Sequence, residues 1–208
     1  MSLILHAILE QSEVNGPGRR LVLWTQGCSK ACPGCFNPET WKFEGGREWS
    51  SSDLVDHILS RAPEGLTLTG GDPLEQSAGL LDFLRELHSR HPSLEGILPR
   101  GIILFSGYTL AEIALLPEAS ECLSFIDLLI DGRYIQSLRY SHGLAGSSNQ
   151  TFHFSSLPSR GTMRILPSEI AIDQSVEIHP SGSDHFELTG FPSIDRQFLK
   201  RLGIRIIS

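Results

Sequence analysis

Short apolar runs at residues 21–25, 66–69, 102–105 and 125–130 alternate with stretches whose apolar residues recur at helical spacing. That alternation restricts the chain to βα units around a largely parallel sheet. Leu54, Val55, Ile58 and Leu59 follow the N-cap candidates Ser50, Ser51, Ser52 and Asp53. Residues 74–90 line up Leu74, Ala78, Leu81, Leu84 and Leu87 on one stripe, and residues 110–116 predict a third, shorter helix. A strand or hairpin arm over 3–10 and a turn at Asn15-Gly-Pro-Gly18 precede these units. About four units before residue 150 are fewer than an eightfold barrel requires. From residue 151 the pattern changes. Phe152 and Phe154 flank His153 at period two, strand signals at 176–178 and 186–188 bracket a turn at 181–184, and a last helix is expected over 194–202. The expected class is α/β, with a core over residues 1–155 and a small mixed C-terminal extension over 156–208 packed on it.

Three of the four cysteines fall within eight residues, as Cys28-Ser-Lys-Ala-Cys32-Pro-Gly-Cys35. Pro33 and Gly34 disfavour a helix there, so a loop is expected on which three sulfurs converge on one face. The first ten residues lack a basic region and a cleavage site, which predicts a cytoplasmic chain with reduced thiols. Clustered cysteines in such a chain read as a metal site. Four protein ligands close a structural site, whereas three leave one position for something other than protein. Two readings satisfy the spacing: a cubane iron–sulfur cluster with one exposed iron, and a zinc site completed by His57, His88 or His153. Cys122, beside Leu123 and Phe125, reads as a small buried hydrophobe.

A second motif, Thr69-Gly70-Gly71-Asp72-Pro73, stands at a predicted strand end, where ligands gather in parallel α/β architectures. Two glycines let the backbone approach a ligand, and the acid beside them can accept hydrogen bonds from an ammonium group. Alone, the string is a turn. Other tempting features have plainer readings. His88 and His91 complement a helix C-terminus, Trp24, Trp41 and Trp49 pack, and Asp53 and Asp56 mark a helix start and a solvated face. Lys and Arg number 17 against 24 Asp and Glu, a formal net charge of −7, and the tight basic pairs are Arg19-Arg20 and Lys200-Arg201. Nucleic acid is not an expected partner of such a surface, since phosphate binding needs clustered cations. No apolar run approaches the ~20 residues that cross a bilayer, so no membrane partner is expected.

Together the two motifs resemble the radical S-adenosylmethionine superfamily, whose signature is C-x3-C-x2-C followed by a Gly-Gly-Glu/Asp-Pro turn. The resemblance narrows to the glycyl-radical-enzyme activases, and most closely to the branch serving anaerobic ribonucleotide reductases. It rests on Asn15-Gly-Pro-Gly18 leading into Gln26-Gly-Cys28, on Cys32-Pro-Gly-Cys35-Phe-Asn37 with Thr40-Trp41, and on Ser106-Gly-Tyr-Thr109. It rests also on Asp131-Gly-Arg133 and Gly146-Ser-Ser-Asn-Gln150. Two positions depart: Gly34 stands where many members carry an aromatic residue, and Ala145 where related activases carry a basic one.

What the resemblance implies is a partial (β/α)6-type barrel holding a [4Fe-4S] cluster on Cys28, Cys32 and Cys35. The amino and carboxylate groups of S-adenosylmethionine would chelate the open iron. Gly70, Gly71, Asp72 and Pro73 would meet the methionine moiety, with Asp131, Arg133 and Asn149 as polar contacts and Phe36 packing near the cluster or adenine. One-electron cleavage would yield a 5′-deoxyadenosyl radical that takes hydrogen from a glycine of a large partner glycyl radical enzyme, with a flavodoxin or ferredoxin as reductant. The alternatives are a radical enzyme acting on a peptide or small metabolite, and an iron–sulfur or zinc module without catalysis.

Overall fold

The computed structural model describes residues 1–92, 94, 96–140, 143–155, 165–170, 176–180, 186–190, 199, 201 and 204–206. It is a mixed α/β structure. Seven strands lie in the order β3-β1-β2-β4-β5-β6-β7. Strands β2 (Arg20–Thr25), β4 (Gly65–Gly70), β5 (Ile102–Ser106) and β6 (Leu128–Asp131) are parallel. β1 (Ser2–Ser12) pairs antiparallel with β2 and with β3 (Arg47–Ser50), and β7 (Thr151–Phe154) runs antiparallel along β6. The sheet thus ends at β3 on one side and β7 on the other.

The four parallel strands carry near-continuous apolar runs because both sheet faces are covered. One face packs on helix α1 (Ser51–Arg61) and helix α2 (Ser77–Arg90). Ser50 caps α1 by accepting from the Asp53 amide, and Ala62 ends it in a left-handed conformation at φ 46°. Leu54, Val55 and Ile58 of α1 and Leu80, Phe83, Leu84 and Leu87 of α2 join Leu21, Leu23, Leu66, Leu68, Ile102 and Leu104 in the main core. Each such side chain contributes about 1.5–3 kcal/mol of burial. On the opposite face Ile103, Leu128 and Ile130 pack with Leu144 and Ile165, and Val22 and Trp24 with Leu9.

The expected helix over 74–90 begins instead as a 3-10 turn (Pro73–Gln76), because Asp72 caps it and Pro73 opens it. The helix expected over 110–116 is α3 (Leu110–Ile113), followed by a separate α4 (Pro117–Cys122) that restarts at Pro117. The strand expected from 125 begins at Leu128, residues Leu123–Phe125 being a 3-10 turn.

Strands β8 (Val176–Pro180), β9 (Phe186–Gly190) and β10 (Ile204–Ile206) form a second sheet in the order β10-β9-β8. The turn expected at 181–184 lies outside the described residues, as does most of the helix expected over 194–202, of which Leu199 and Arg201 are helical. Asn15 Nδ2 donates to Thr189 Oγ1 at 2.8 Å and the Glu13 amide to Glu177 Oε1 at 2.7 Å, joining this sheet to the β1–β2 connection. Arg100 pairs with Glu169.

Candidate active site

A cleft of about 890 Å³, counting its open mouth, lies at the carboxyl ends of the parallel strands. Cys28, Cys32 and Cys35 all line it, together with Gly70, Gly71 and Gly107. The cysteine segment is a loop, as its Pro33-Gly34 pair predicts. Its backbone is held by Gly27 and Cys28 amides donating to Thr40 and Trp41 carbonyls at 2.7 and 3.1 Å, and by Cys35 N donating to Cys32 O at 3.0 Å. All three thiols are half-buried and outside any disulfide. Burial, with the Asp72 charge adding, pushes the Cys28 thiol up to about 11 against opposing backbone hydrogen bonds from Lys30 and Ala31. At neutral pH it is protonated, so a metal must displace a proton to bind there.

The glycine turn is stitched to the start of this loop. Gly71 N donates to Thr25 O at 2.8 Å and Asp72 N to Gly27 O at 2.9 Å. Gly70 sits at φ +105°, and a Cβ on Gly71 would lie 2.2 Å from the Gly27 carbonyl oxygen. The two glycines therefore admit the neighbouring chain itself, a closeness their sequence alone left to a ligand. Gly71→Ala should lower the unfolding free energy by about 1–3 kcal/mol through this backbone clash. An unchanged thermal midpoint would contradict the assignment.

Asp72 is not among the described lining residues but is bonded to two of them, Ser106 and Gly107. Fully buried, its carboxylate accepts from Ser106 Oγ at 3.0 and 3.1 Å, from the Gly107 amide at 2.8 Å and from the Leu74 amide at 3.1 Å. It joins the ends of β4 and β5. Burial raises its pKa from 3.8 to about 6 despite those donors. The folded carboxyl therefore keeps a proton that the unfolded one releases. The stability it confers is present below about pH 4 and is lost as pH rises through about 6. Relative to Asp72→Asn, the wild-type unfolding free energy should fall by about 2 kcal/mol from pH 4 to pH 7. Urea titrations of the metal-free protein at the two pH values check this, and a flat difference would refute it.

Phe36 lines the cleft, edge-on to Tyr134 at 5.3 Å, with the Arg139 guanidinium 5.0 Å above its ring. Asp131, Arg133 and Asn149 are not among the described lining residues, although Asp131 and Arg133 flank Gly132, which is. Asp131 accepts from the Leu110 amide at 2.5 Å and faces His153 at 3.2 Å. Arg133 pairs with Glu112 at 3.0 Å, and Asn149 donates to the Arg133 carbonyl at 2.9 Å. Gly132, Tyr134, Gly146 and Gln150 supply the lining there. Pro73 is buried in the 3-10 turn.

The candidate zinc-completing histidines lie elsewhere. His57 faces Glu10 at 3.0 Å on the flank of α1, His88 bonds the Leu84 carbonyl at 2.9 Å, and His153 faces Asp131. Among the described residues no three His, Cys, Asp or Glu side chains gather tightly enough to hold a single metal ion. Three thiols line one cleft with no histidine or carboxylate among its described lining residues, so a cluster held by them would keep a corner without a protein ligand. Trp41 also lines the cleft, and its buried indole Nε1–H has no hydrogen-bond partner among the described residues. Lys30, Trp41 and Tyr134 were not singled out as site residues by the sequence; for Lys30 the available signal was its position between two of the cysteines.

A family model described as a 4Fe-4S single cluster domain matches residues 14–153. The chain is 35% identical over 151 residues to the anaerobic ribonucleoside-triphosphate reductase-activating protein of Vibrio cholerae, covering 67% of this chain and 90% of that one. It is 35% identical over 145 residues to the protein of the same name from Enterobacteria phage T4, covering 66% and 85% of the two chains. With the Pasteurella multocida counterpart the identity is 37% over 132 residues, covering 59% and 78%.

Proposed function

The chain belongs to the family of anaerobic ribonucleoside-triphosphate reductase-activating proteins and carries its 4Fe-4S single cluster domain, and from that premise we propose how its residues serve the activity. It is a radical S-adenosylmethionine enzyme that takes hydrogen from a backbone glycine of a glycyl radical enzyme, an anaerobic ribonucleotide reductase. When bound, the cluster and S-adenosylmethionine supply one-electron cleavage of a sulfonium and a carbon radical able to abstract hydrogen.

Cys28, Cys32 and Cys35 are its cluster ligands. The observation that carries this reading is their shared cleft with the Gly70–Gly71 strand end. The backbone at Gly70 and Gly71 receives the methionine moiety. Asp72 and Pro73 hold that turn in shape, and Phe36 gives an apolar wall to the cluster or adenine. Asp131, Arg133 and Asn149 order the rim around Gly132, and their polar groups stand beside the cofactor's path. Phe105 and Tyr134 help to keep water from the interior.

The seven-stranded sheet corresponds in this reading to a partial (β/α)6-type barrel, whose open side admits the partner's glycine loop. Residues 1–155 form the core, supported by the family match to residues 14–153 and by a main sheet ending at Phe154. Residues 156–208 form an extension packed on it. The reductant is a flavodoxin or ferredoxin and the compartment the cytoplasm; no described helix is long and apolar enough to cross a membrane.

The test is anaerobic reconstitution, reduction with dithionite and addition of S-adenosylmethionine. 5′-Deoxyadenosine is expected, followed by a glycine-centred doublet in electron paramagnetic resonance when the reductase is added. Deoxyadenosine without the doublet would redirect the reading to a peptide or small metabolite. An intact cluster without deoxyadenosine would refute it.

A further inference from the structure

Lys30 lies between the first two cysteines, yet its side chain leaves the sulfurs and crosses to two other loops. Its Nζ sits 3.0 Å from Glu75 Oε1, and the two side chains are only 7% and 12% exposed. The same ammonium lies 3.3 Å from the centroid of the Tyr108 ring. Glu75 also accepts from the Ser29 amide at 3.0 Å and from the Ser29 hydroxyl. Tyr108 follows Gly107, where a Cβ would lie 3.1 Å from Lys30 Cγ. A buried ion pair with an aromatic face over the cation holds its members in one geometry.

Three loops meet at this point: the cysteine loop, the 3-10 turn after Asp72, and the Ser106-Gly-Tyr turn after β5. The cysteine loop carries the three thiols, the 3-10 turn follows directly on the Gly70–Gly71 surface assigned above to the cofactor, and Ser106 and Gly107 line the same cleft. We propose that Lys30 is a positioning residue that sets the separation between the sulfur triplet and the ends of β4 and β5, through its seat between Glu75 and Tyr108. The inference rests on the reading of those surfaces given under Proposed function. Its consequence is selective: the cluster assembles without Lys30, while cofactor, which must bridge both surfaces, binds weakly.

The experiment compares full-length wild type with Lys30→Met, Lys30→Arg, Glu75→Gln and the Lys30→Met/Glu75→Gln double variant. Iron and sulfide content after anaerobic reconstitution should match wild type in all of them. Affinity for S-adenosylmethionine should fall about tenfold in Lys30→Met and in Glu75→Gln, with the double variant no worse than either, as for residues acting as one unit. Lys30→Arg, which keeps the charge and a planar face for Tyr108, should recover most of it. Hydrogen exchange on the metal-free chain should quicken at residues 29–35 and 71–75 in Lys30→Met and stay unchanged in α1. Wild-type affinity in Lys30→Met would overturn the proposal even if the fold were destabilised, and so would unchanged exchange at residues 29–35 and 71–75. Failure of the wild type itself to take up cluster or cofactor would instead overturn the functional reading, and the exchange measurement would still decide the role of Lys30.

Discussion

Cys32→Ala is expected to yield a folded protein that retains little iron after anaerobic reconstitution and forms 5′-deoxyadenosine more than about a thousandfold more slowly, the scale set by loss of an essential group. The reason lies in the composition of the cleft wall. Its described lining residues include three thiols and no histidine or carboxylate, so no neighbour can replace a missing sulfur. The loop tolerates the change because its shape comes from backbone bonds such as Cys35 N to Cys32 O, which survive loss of the side chain. Cys122→Ala is the matched control. That thiol is fully buried, burial pushes its pKa up to about 12, and its sulfur lies 3.7 Å from the Ser77 carbonyl on the helical side of the sheet. It should assemble the cluster at wild-type level. Iron retained by Cys32→Ala, or lost from Cys122→Ala, would show that the ligands are elsewhere.

Arg20→Met should lower the unfolding free energy by about 3–5 kcal/mol, the cost of stranding buried polar groups around a removed cation. Arg20 opens β2 and is completely buried. Its Nε donates to Thr67 Oγ1 at 2.7 Å, Nη1 to the Pro17 and Arg100 carbonyls at 3.1 and 3.0 Å, and Nη2 to the Leu66 and Gly101 carbonyls at 2.6 and 2.9 Å. Burial draws its pKa down to about 9, opposed by the charge of Asp127, and it remains a cation at neutral pH. Methionine would fill the volume and leave four carbonyls and a hydroxyl without this donor. Lysine, with three donors on a single nitrogen, should recover only part of the loss. Urea unfolding followed by circular dichroism measures both variants; a change below about 1 kcal/mol in Arg20→Met would mean that water replaces the guanidinium.

Strands β2, β4, β5 and β6 were legible because burial on both faces forces uninterrupted apolar runs. β3 was not: Arg47, Glu48, Trp49 and Ser50 form an edge strand whose partly exposed side chains carry no periodic signal. α4 carries almost no apolar signal, since only Ala119 and Cys122 of its six residues are buried. In the cleft, the cysteines and the glycine pair were legible as contiguous strings. The partners of the Asp72 carboxylate were not legible: besides the Leu74 amide they are Ser106 and Gly107, brought close only by the adjacency of β4 and β5. The Lys30, Glu75 and Tyr108 cluster was illegible for the same reason, since its members lie on three loops that meet only in the folded sheet.

The contribution of β9 to the cleft has a temporal side. Gly190 forms part of the wall that the thiols share, and its neighbour Thr189 is bonded to Asn15. Ribosomes adding roughly 5–20 residues per second take on the order of ten to thirty seconds to pass from Cys35 to Gly190. Throughout that interval the nascent chain has all three sulfurs but lacks the part of the wall that Gly190 supplies.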